Sequence, residues 1–385
     1  MQAVWWLLFW LPISNCFSQE RLVALYGNGS TRGAAFAGAR GTSIQKLFLA
    51  KQSAYSKTAG SLEKWSSMAK DAEPYIRKYA PVAWEEIKGA GEAGIEGVNM
   101  DVMLMLAVEY EMYVEVGSDA QSSFRPPADK CTGYGAPGLS GQNNDEAPNL
   151  YLDAAEDVVL SILDPDGHGA LIYTHPGWPA YMGMNSHGVS VLWQYIDTGE
   201  RGAGVPTNVL IREMLAQASL DSAIQFLGHT PRMIPNNFIL TDTSRVVNVE
   251  LSSSHFTPLS LSQGFVVHTN HLLFDQAMQD QDIGNEQTSV QRYKAMRALV
   301  RHHDGSRVQA EDLQSMLATH PVFRDGRAGT DNDTLASMVF DLHSLSMGIW
   351  FKGDAYRSAR RYAMPTLQTW GAHGSSDEAH QNIHV

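Results

Sequence analysis

Pro126-Pro127, in the stretch FRPPADKC, divides the chain into two textures that no single regular structure can serve. Two consecutive prolines lack the N–H a helix needs and clash with the preceding turn, so no helix runs through them. Before them, apolar residues recur at helical spacing. Ile44, Leu47, Phe48 and Tyr55 share one face, and Trp65, Met68, Ala72 and Ile76 share another. Residues 42–116 therefore read as helices punctuated by Pro74 and Pro81, and Met100–Val116, apolar almost all round, reads as one buried helix. A short strand at 22–27 precedes them and ends in the turn-prone Gly27-Asn28-Gly29.

After Cys131 the texture turns to β. Val158–Leu163 and Ala170–Thr174 flank Asp164-Pro165-Asp166-Gly167 and read as a hairpin, and Val189, Val191, Trp193 and Tyr195 alternate on one face of a strand at 188–196. Helices at 207–218 and 220–227 follow, the second closed by Gly228. Strands are expected at 237–242, 246–251 and 264–268. Helices follow at 288–302, with Val290, Tyr293, Arg297 and Val300 on one side, and at 311–318. Leu335–Leu342 and Met347–Lys352 form a last hairpin, and the tail from Gly371 reads as frayed. Blocks of helices and blocks of strands, rather than their regular alternation, suit antiparallel sheets covered by helices.

The length of 385 residues suits one large body or two modest domains. A net charge of −13, with no Lys/Arg patch, argues against nucleic acid or an anionic membrane as partner. The apolar run Ala3–Ile13 is too short to span a bilayer but suits a signal-peptide core, although no Lys or Arg precedes it. Residues 1–18 are accordingly read as a signal peptide, and the destination as secreted or lumenal, lysosomes included. Its removal leaves Cys131 as the single cysteine, with no intrachain disulfide to form. On that route Asn28-Gly29-Ser30 and Asn332-Asp333-Thr334 are glycosylation sequons at Asn28 and Asn332.

Several chemistries find no support. The twelfth position of a Ca²⁺ loop opened by Asp164 is His175, not a carboxylate. His268 and His271, or His302-His303, lack a third ligand at a sensible spacing. Neither a phosphate-cradling glycine loop nor Gly-x-Ser-x-Gly occurs, so no metal and no cofactor is expected. Cys131 sits between Lys130 and Thr132-Gly133 rather than in an apolar run. By itself that leaves both a reactive thiol and a structural one open.

Cys131-Thr132-Gly133-Tyr134, followed by Gly141-Gln142-Asn143-Asn144-Asp145, resembles the nucleophile hairpin of the penicillin acyltransferase-like N-terminal-nucleophile hydrolases (peptidase C45), relatives of the choloylglycine hydrolases. Met182-Gly183-Met184-Asn185-Ser186-His187-Gly188-Val189, Gly204-Val205-Pro206-Thr207 and Val267-His268-Thr269-Asn270-His271 resemble further segments of the family, as does the closing Thr334–Phe351 hairpin. The resemblance implies an α+β fold, a four-layer αββα sandwich with two antiparallel sheets. It also implies self-cleavage between Lys130 and Cys131, giving associated pieces 19–130 and 131–385 of one body. A freed α-amine has an ordinary pKa near 8 and can serve as the base for its own thiol.

In the roles the family implies, Asp145 orients that amine, Asn270 donates to the oxyanion, and Arg324, with Arg327 as rival, assists. A second oxyanion donor is left open, with Gln194 or a backbone N–H in its place. Tyr134, Trp178, Tyr181 and Trp193 line an acyl pocket or belong to the core. The expected substrate is a small N-acyl amide, cleaved through a Cys131 thioester. Coenzyme A-dependent transfer to an amine, an inactive binding protein of the same fold, and a papain-like protease remain as alternatives.

Overall fold

The computed structural model describes residues 21–118, 131–146, 156–275, 278, 287–303, 307–325, 333–354 and 359–374. The expected signal peptide, Lys130, Arg327 and Asn332 lie outside them. Strand β1 (Leu22–Tyr26) leads into helices α1 (Gly29–Tyr55), α2 (Ser61–Tyr79), α3 (Pro81–Gly91), α4 (Met100–Ala107) and α5 (Glu109–Ser118).

Helix α1 starts at Gly29, well before the expected residue 42. Asn28 caps it, its Oδ1 accepting from Thr31 N at 2.9 Å. Its first half, GSTRGAAFAGARG, is mostly small residues and has no apolar stripe for periodicity to detect. Small residues are needed there because α1 lies backbone to backbone against α3. A Cβ on Gly33 would sit 2.0 Å from Glu86 O, and one on Gly89 2.1 Å from Ser30 O. Pro74 does not end α2; it lies on the exposed side, where water can serve the carbonyl it leaves unpaired. The expected single helix at 100–116 is broken at Val108.

The second half supplies β2 (Cys131–Ala136), β3 (Leu139–Glu146), β4 (Val158–Leu163), β5 (Gly169–Thr174), β6 (Met182–Asn185) and β7 (Ser190–Tyr195). Helices α6 (Thr207–Met214) and α7 (Leu220–His229) come next, then β8 (Asn236–Thr241), β9 (Val246–Leu251), β10 (Phe256–Leu261) and β11 (Val266–His268). Helices α8 (Gln287–Arg301) and α9 (Ala310–Leu317), strands β12 (Asp333–Asp341), β13 (Ser346–Phe351) and β14 (Arg360–Ala363), and α10 (Leu367–Gly374) complete the described chain. Strands β6, β10 and β14 were not expected from the sequence, and the tail continues as helix past Gly371.

One sheet has the order β1-β4-β5-β6-β7-β8-β9-β10 and the other β11-β2-β3-β12-β13-β14. Among the described strands all pairs are antiparallel, as expected, except β1–β4, which is parallel. The exception follows from chain order: β1 belongs to the first half and joins the edge of a sheet built from the second.

The sheets face one another through β2, β3, β7 and β8. On β7, Gln194 meets Gly133 of the second sheet, while Trp193 and Tyr195 turn to Tyr110 of α5. Helices α8 and α9 cover the far face of the second sheet, with Met296, Leu313, Met316 and Leu317 packed on Tyr134, Leu139 and Val339. The layers therefore run helix, sheet, sheet, helix. The glycines of CTGYGA have a local reason, since a Cβ on Gly133 would lie 2.4 Å from Gln194 Nε2 and one on Gly135 2.5 Å from Ile239 Cγ2.

Residues before and after the proline break are joined by buried carboxylates. Glu111 accepts from Thr207 N at 2.8 Å and Oγ1 at 2.7 Å, Glu213 accepts from Val82 N and Ala83 N, and Arg212 pairs with Glu86. Burial pushes Glu111 up from 4.5 to about 7, against the hydrogen bonds from Thr207.

Two predictions follow from this packing. Gly33→Ala must force α1 and α3 apart and is expected to lower the unfolding free energy by about 1–3 kcal/mol in urea titration; an unchanged midpoint would contradict the close approach. Because Glu111 holds a proton in the native state where the unfolded chain has lost it, its contribution is fully present below pH 4.5 and lost as pH rises through about 7. Glu111→Gln should therefore flatten the fall in stability across that window, and parallel curves for the two proteins would count against it.

Candidate active site

Cys131 is the first residue of β2, and the register Cys131↔Asn144, Gly133↔Gln142 puts these four on the face turned to the first sheet. Thr132, Tyr134, Asn143 and Asp145 occupy the helix-covered face. Strand β11 pairs with the other side of β2, His268 opposite Gly133, so the chain just past β11 brings Asn270 beside Cys131. The Cys131 N–H donates to Asn270 Oδ1 at 3.0 Å, and Asn270 Nδ2 donates to Tyr195 O at 3.0 Å.

The loop that carries Asn270 is itself held. Glu250 accepts from the backbone N–H of Leu273, Phe274 and Asp275 and from His268, and Asn270 N donates to Ser289 Oγ at 2.9 Å. Burial works to raise the Glu250 carboxyl, but the bonds from His268 and those backbone groups hold it below its ordinary value.

Arg292 of α8, only 1% exposed, crosses from this loop to β2. Its Nη2 donates to Asn270 Oδ1 at 2.8 Å, and its Nη1 donates to Thr132 Oγ1 at 2.9 Å and to Cys131 O. A guanidinium offers donors only, so the Asn270 amide must present its oxygen to it. Of the face expected from periodicity, only Val300 is buried. Ser289, Arg292, Met296 and Val300 are the buried positions, whereas Val290, Tyr293 and Arg297 are partly exposed. The signal available was Arg292, Met296 and Val300 at helical spacing, with one charge in an apolar row.

Asp145 lies one step beyond Asn144, toward the amino end of β2, and is fully buried. Thr334 Oγ1 donates to its Oδ1 at 2.6 Å, while Oδ2 has no hydrogen-bond partner among the described residues. Burial raises its carboxyl to about 6, with Arg292, Thr334 and Arg324 pulling the other way. Arg324 thus lies close enough to act on Asp145, and its backbone N–H and C=O both bond to Thr334.

The thiol is 2% exposed, and its Sγ lies 3.7 Å from the Tyr181 hydroxyl. Burial, reinforced by the Asp145 and Glu146 carboxylates, pushes the thiol up to about 12. Among the described residues no histidine is hydrogen-bonded to it. His271 bonds to Ser289 Oγ at 2.8 Å and Thr269 Oγ1 at 3.2 Å instead, and burial with the nearby His268 and Arg292 lowers it to about 4.

Around Tyr181 the rings of Trp178, Trp193, Tyr110 and His175 form one buried aromatic cluster. Two expected site residues are not brought to the thiol. Tyr134 points to the helix side and stacks on Phe265, as the alternation along β2 requires. Gln194 is tied to Gln142 and Asn237 between the sheets, over Gly133 rather than Cys131. A surface cavity of about 420 Å³ lined by Asn28, Arg32, Pro81, Glu85 and Asp164 includes none of the residues around the thiol. Among the described residues no cluster of three or more His, Cys, Asp or Glu is arranged to hold a metal.

The arrangement is a cysteine-centred site between two stacked sheets, with Asn, Asp and Arg partners. A family model described as acyl-coenzyme A:6-aminopenicillanic acid acyl-transferase matches residues 132–356, and the chain belongs to that family. It is similar to the acyl-coenzyme A:6-aminopenicillanic-acid-acyltransferase 40 kDa form of Emericella nidulans, with 24% identity over 316 residues, 79% of this chain and 84% of the relative. Among solved structures, a penicillin V acylase from Agrobacterium tumefaciens overlaps at a TM-score of 0.39 with 14% identity, covering 58% of this chain and 83% of its own. A mutant conjugated bile acid hydrolase from Clostridium perfringens overlaps at 0.41 with 12% identity, covering 61% and 92%.

Removing the Arg292 guanidinium takes a donor from three buried acceptors on two segments, of which Asn270 Oδ1 keeps the Cys131 N–H. Arg292→Met is expected to lose about 2–4 kcal/mol of stability by chemical denaturation. Arg292→Lys should recover only part of this, because an ammonium lacks the planar fork that reaches all three. Full recovery by lysine would show that charge alone matters.

Proposed function

We propose that the chain is a self-processing cysteine amidohydrolase: it cuts itself between Lys130 and Cys131 and then cleaves the linear amide of a small N-acyl substrate. The observation that carries this reading is a thiol with no histidine partner among the described residues, pushed up to about 12, on the residue whose own backbone N–H is held by Asn270. A thiol in that state needs a base. Cleavage before Cys131 would supply one as its α-amine, whose ordinary pKa is near 8. Membership of a family named for acyl transfer supports the reaction class.

In the proposed cycle the α-amine takes the thiol proton and Sγ attacks the amide carbonyl. The tetrahedral oxyanion forms with Asn270 Nδ2 as donor, which requires that amide to turn from Tyr195 O or to use its other hydrogen. Collapse breaks the C–N bond, and the proton held on the α-amine leaves with the departing amine. Water, deprotonated by the same α-amine, then hydrolyses the thioester and restores the thiol. Asp145 accepts from the α-ammonium; its Oδ2, without a partner among the described residues, is an available acceptor. The aromatic cluster of Trp178, Tyr181 and Trp193 favours an apolar acyl group.

Hydrolysis is preferred to coenzyme A-dependent transfer because the apolar N-terminus would direct the chain to the secretory route, away from the cytosolic acyl-CoA pool. On that route Asn28, exposed at the start of α1, is the first glycosylation candidate, with Asn332 the second. Two pieces of one precursor would remain together, since both contribute to the same core.

The test sets recombinant wild type beside Cys131→Ala on a denaturing gel. Two fragments should appear in the wild type only, the larger beginning Cys-Thr-Gly-Tyr on N-terminal sequencing. An intact single chain in both samples overturns self-processing. Faster passage of an acyl group from a CoA thioester to an amine than to water overturns the preference for hydrolysis.

A further inference from the structure

Behind Cys131, five buried side chains continue from the thiol as one unbroken hydrogen-bonded row, none more than 3% exposed. Tyr181, 3.7 Å from Sγ, donates its hydroxyl to Asn144 Oδ1 at 2.6 Å. Asn144 Nδ2 donates to the Tyr173 hydroxyl oxygen at 3.1 Å, and Tyr173 donates to Asp157 Oδ2 at 2.6 Å. Asp157 Oδ1 faces His175 Nδ1 at 2.7 Å and closes the row.

Bonds in such a row cannot be oriented independently. A carboxylate only accepts, and a phenol has a single hydrogen to give. Asp157 therefore obliges Tyr173 to donate to it, leaving the Tyr173 oxygen to accept from Asn144. The Asn144 amide is thereby fixed with its oxygen toward Tyr181, whose hydrogen it takes. What Tyr181 presents to the sulfur is a lone pair, so the thiol keeps its hydrogen and donates it.

We propose that Asp157 is a positioning residue for Cys131: acting through Tyr173, Asn144 and Tyr181, it sets the polarity of this row and holds the thiol in its protonated, donating state. The inference rests on Cys131 being the nucleophile proposed above. Such a row keeps the thiol from attacking a substrate until a base is supplied. Other groups face the two ends and act in every variant alike. Asp145, Glu146, Arg292 and Tyr110 surround the thiol, and Arg21 joins Tyr173 and His175 around Asp157.

The polarity can be reversed from the far end. In Asp157→Asn the new amide can still accept from His175 Nδ1 while its Nδ2 donates to Tyr173. Tyr173 then donates to Asn144, the Asn144 amide turns over, and the Tyr181 hydrogen is delivered to the sulfur. A donor facing the thiolate stabilises it. Tyr173→Phe should act in the same direction, because Asn144 is then no longer pinned.

The readout is the rate of Cys131 alkylation by iodoacetamide against pH, followed by peptide mass spectrometry on the full chain. Variants are checked for native folding by near-UV circular dichroism. Asp157→Asn is expected to shift the profile to lower pH by about one unit, read at fixed pH as roughly tenfold faster alkylation. The shift should vanish when Asp157→Asn is combined with Tyr181→Phe and compared with Tyr181→Phe alone. An unchanged profile, or a shift that persists without the Tyr181 hydroxyl, overturns the proposal. Should Asp157→Asn fail to fold, the same comparison is made with Tyr173→Phe. Alkylation needs neither self-cleavage nor turnover, and the intact mass reports cleavage separately, so the row and the self-processing reading stand or fall apart.

Discussion

A single buried guanidinium fixes the geometry on which the site depends. Arg292 bonds to Cys131 O, Thr132 Oγ1 and Asn270 Oδ1, tying α8, the head of β2 and the loop after β11 into one unit. Because it can only donate, it decides which end of the Asn270 amide faces Cys131 and so gives the Cys131 N–H its acceptor. The cost of burying the charge is offset by these charge-assisted bonds and by the nearby Asp145 carboxylate, which Arg292 in turn pulls down.

The two faces of β2 then divide the work. On the helix-covered face Thr132 and Asp145 lie with Arg292 and Arg324, a polar patch sealed beneath α8 and α9. On the face toward the first sheet lie Cys131, Asn144 and the aromatic cluster around Tyr181. The glycines at 133 and 135 let the two sheets approach closely enough for Gln194 to reach across to Gln142. Buried among carboxylates, the thiol is poorly ionised, and its attack on a substrate calls for a base.

Much of this was legible in residue order. The proline break, the β texture after it and the hairpin of Val158–Leu163 with Gly169–Thr174 are local patterns, and local patterns survive folding. The first half of α1 was missed because glycine and alanine carry no apolar stripe; only its contact with α3 explains them. Strand β10 was missed because its residues FTPLSL are half-exposed and contain a proline, tolerated at the sheet edge. Asp145 and Asn270 could be singled out by motif, whereas Arg292 could not, since one arginine on a helix looks like any surface charge until its partners are known.

The sequence by itself singled out the residues to which the proposed chemistry is assigned. A cysteine at the head of a glycine-rich strand, an aspartate at the end of the next strand and a Thr-Asn-His segment each follow from local order. Tertiary structure alone decided how they meet. Cys131 and Asn270 are 139 positions apart, Asp145 and Thr334 are 189 apart, and Arg292 lies 161 positions from the carbonyl it holds. The polarity of the row from Asp157 to the thiol was likewise invisible in the sequence. A hydrogen bond's direction is set by what the next partner can accept, and only the fold chooses the next partner.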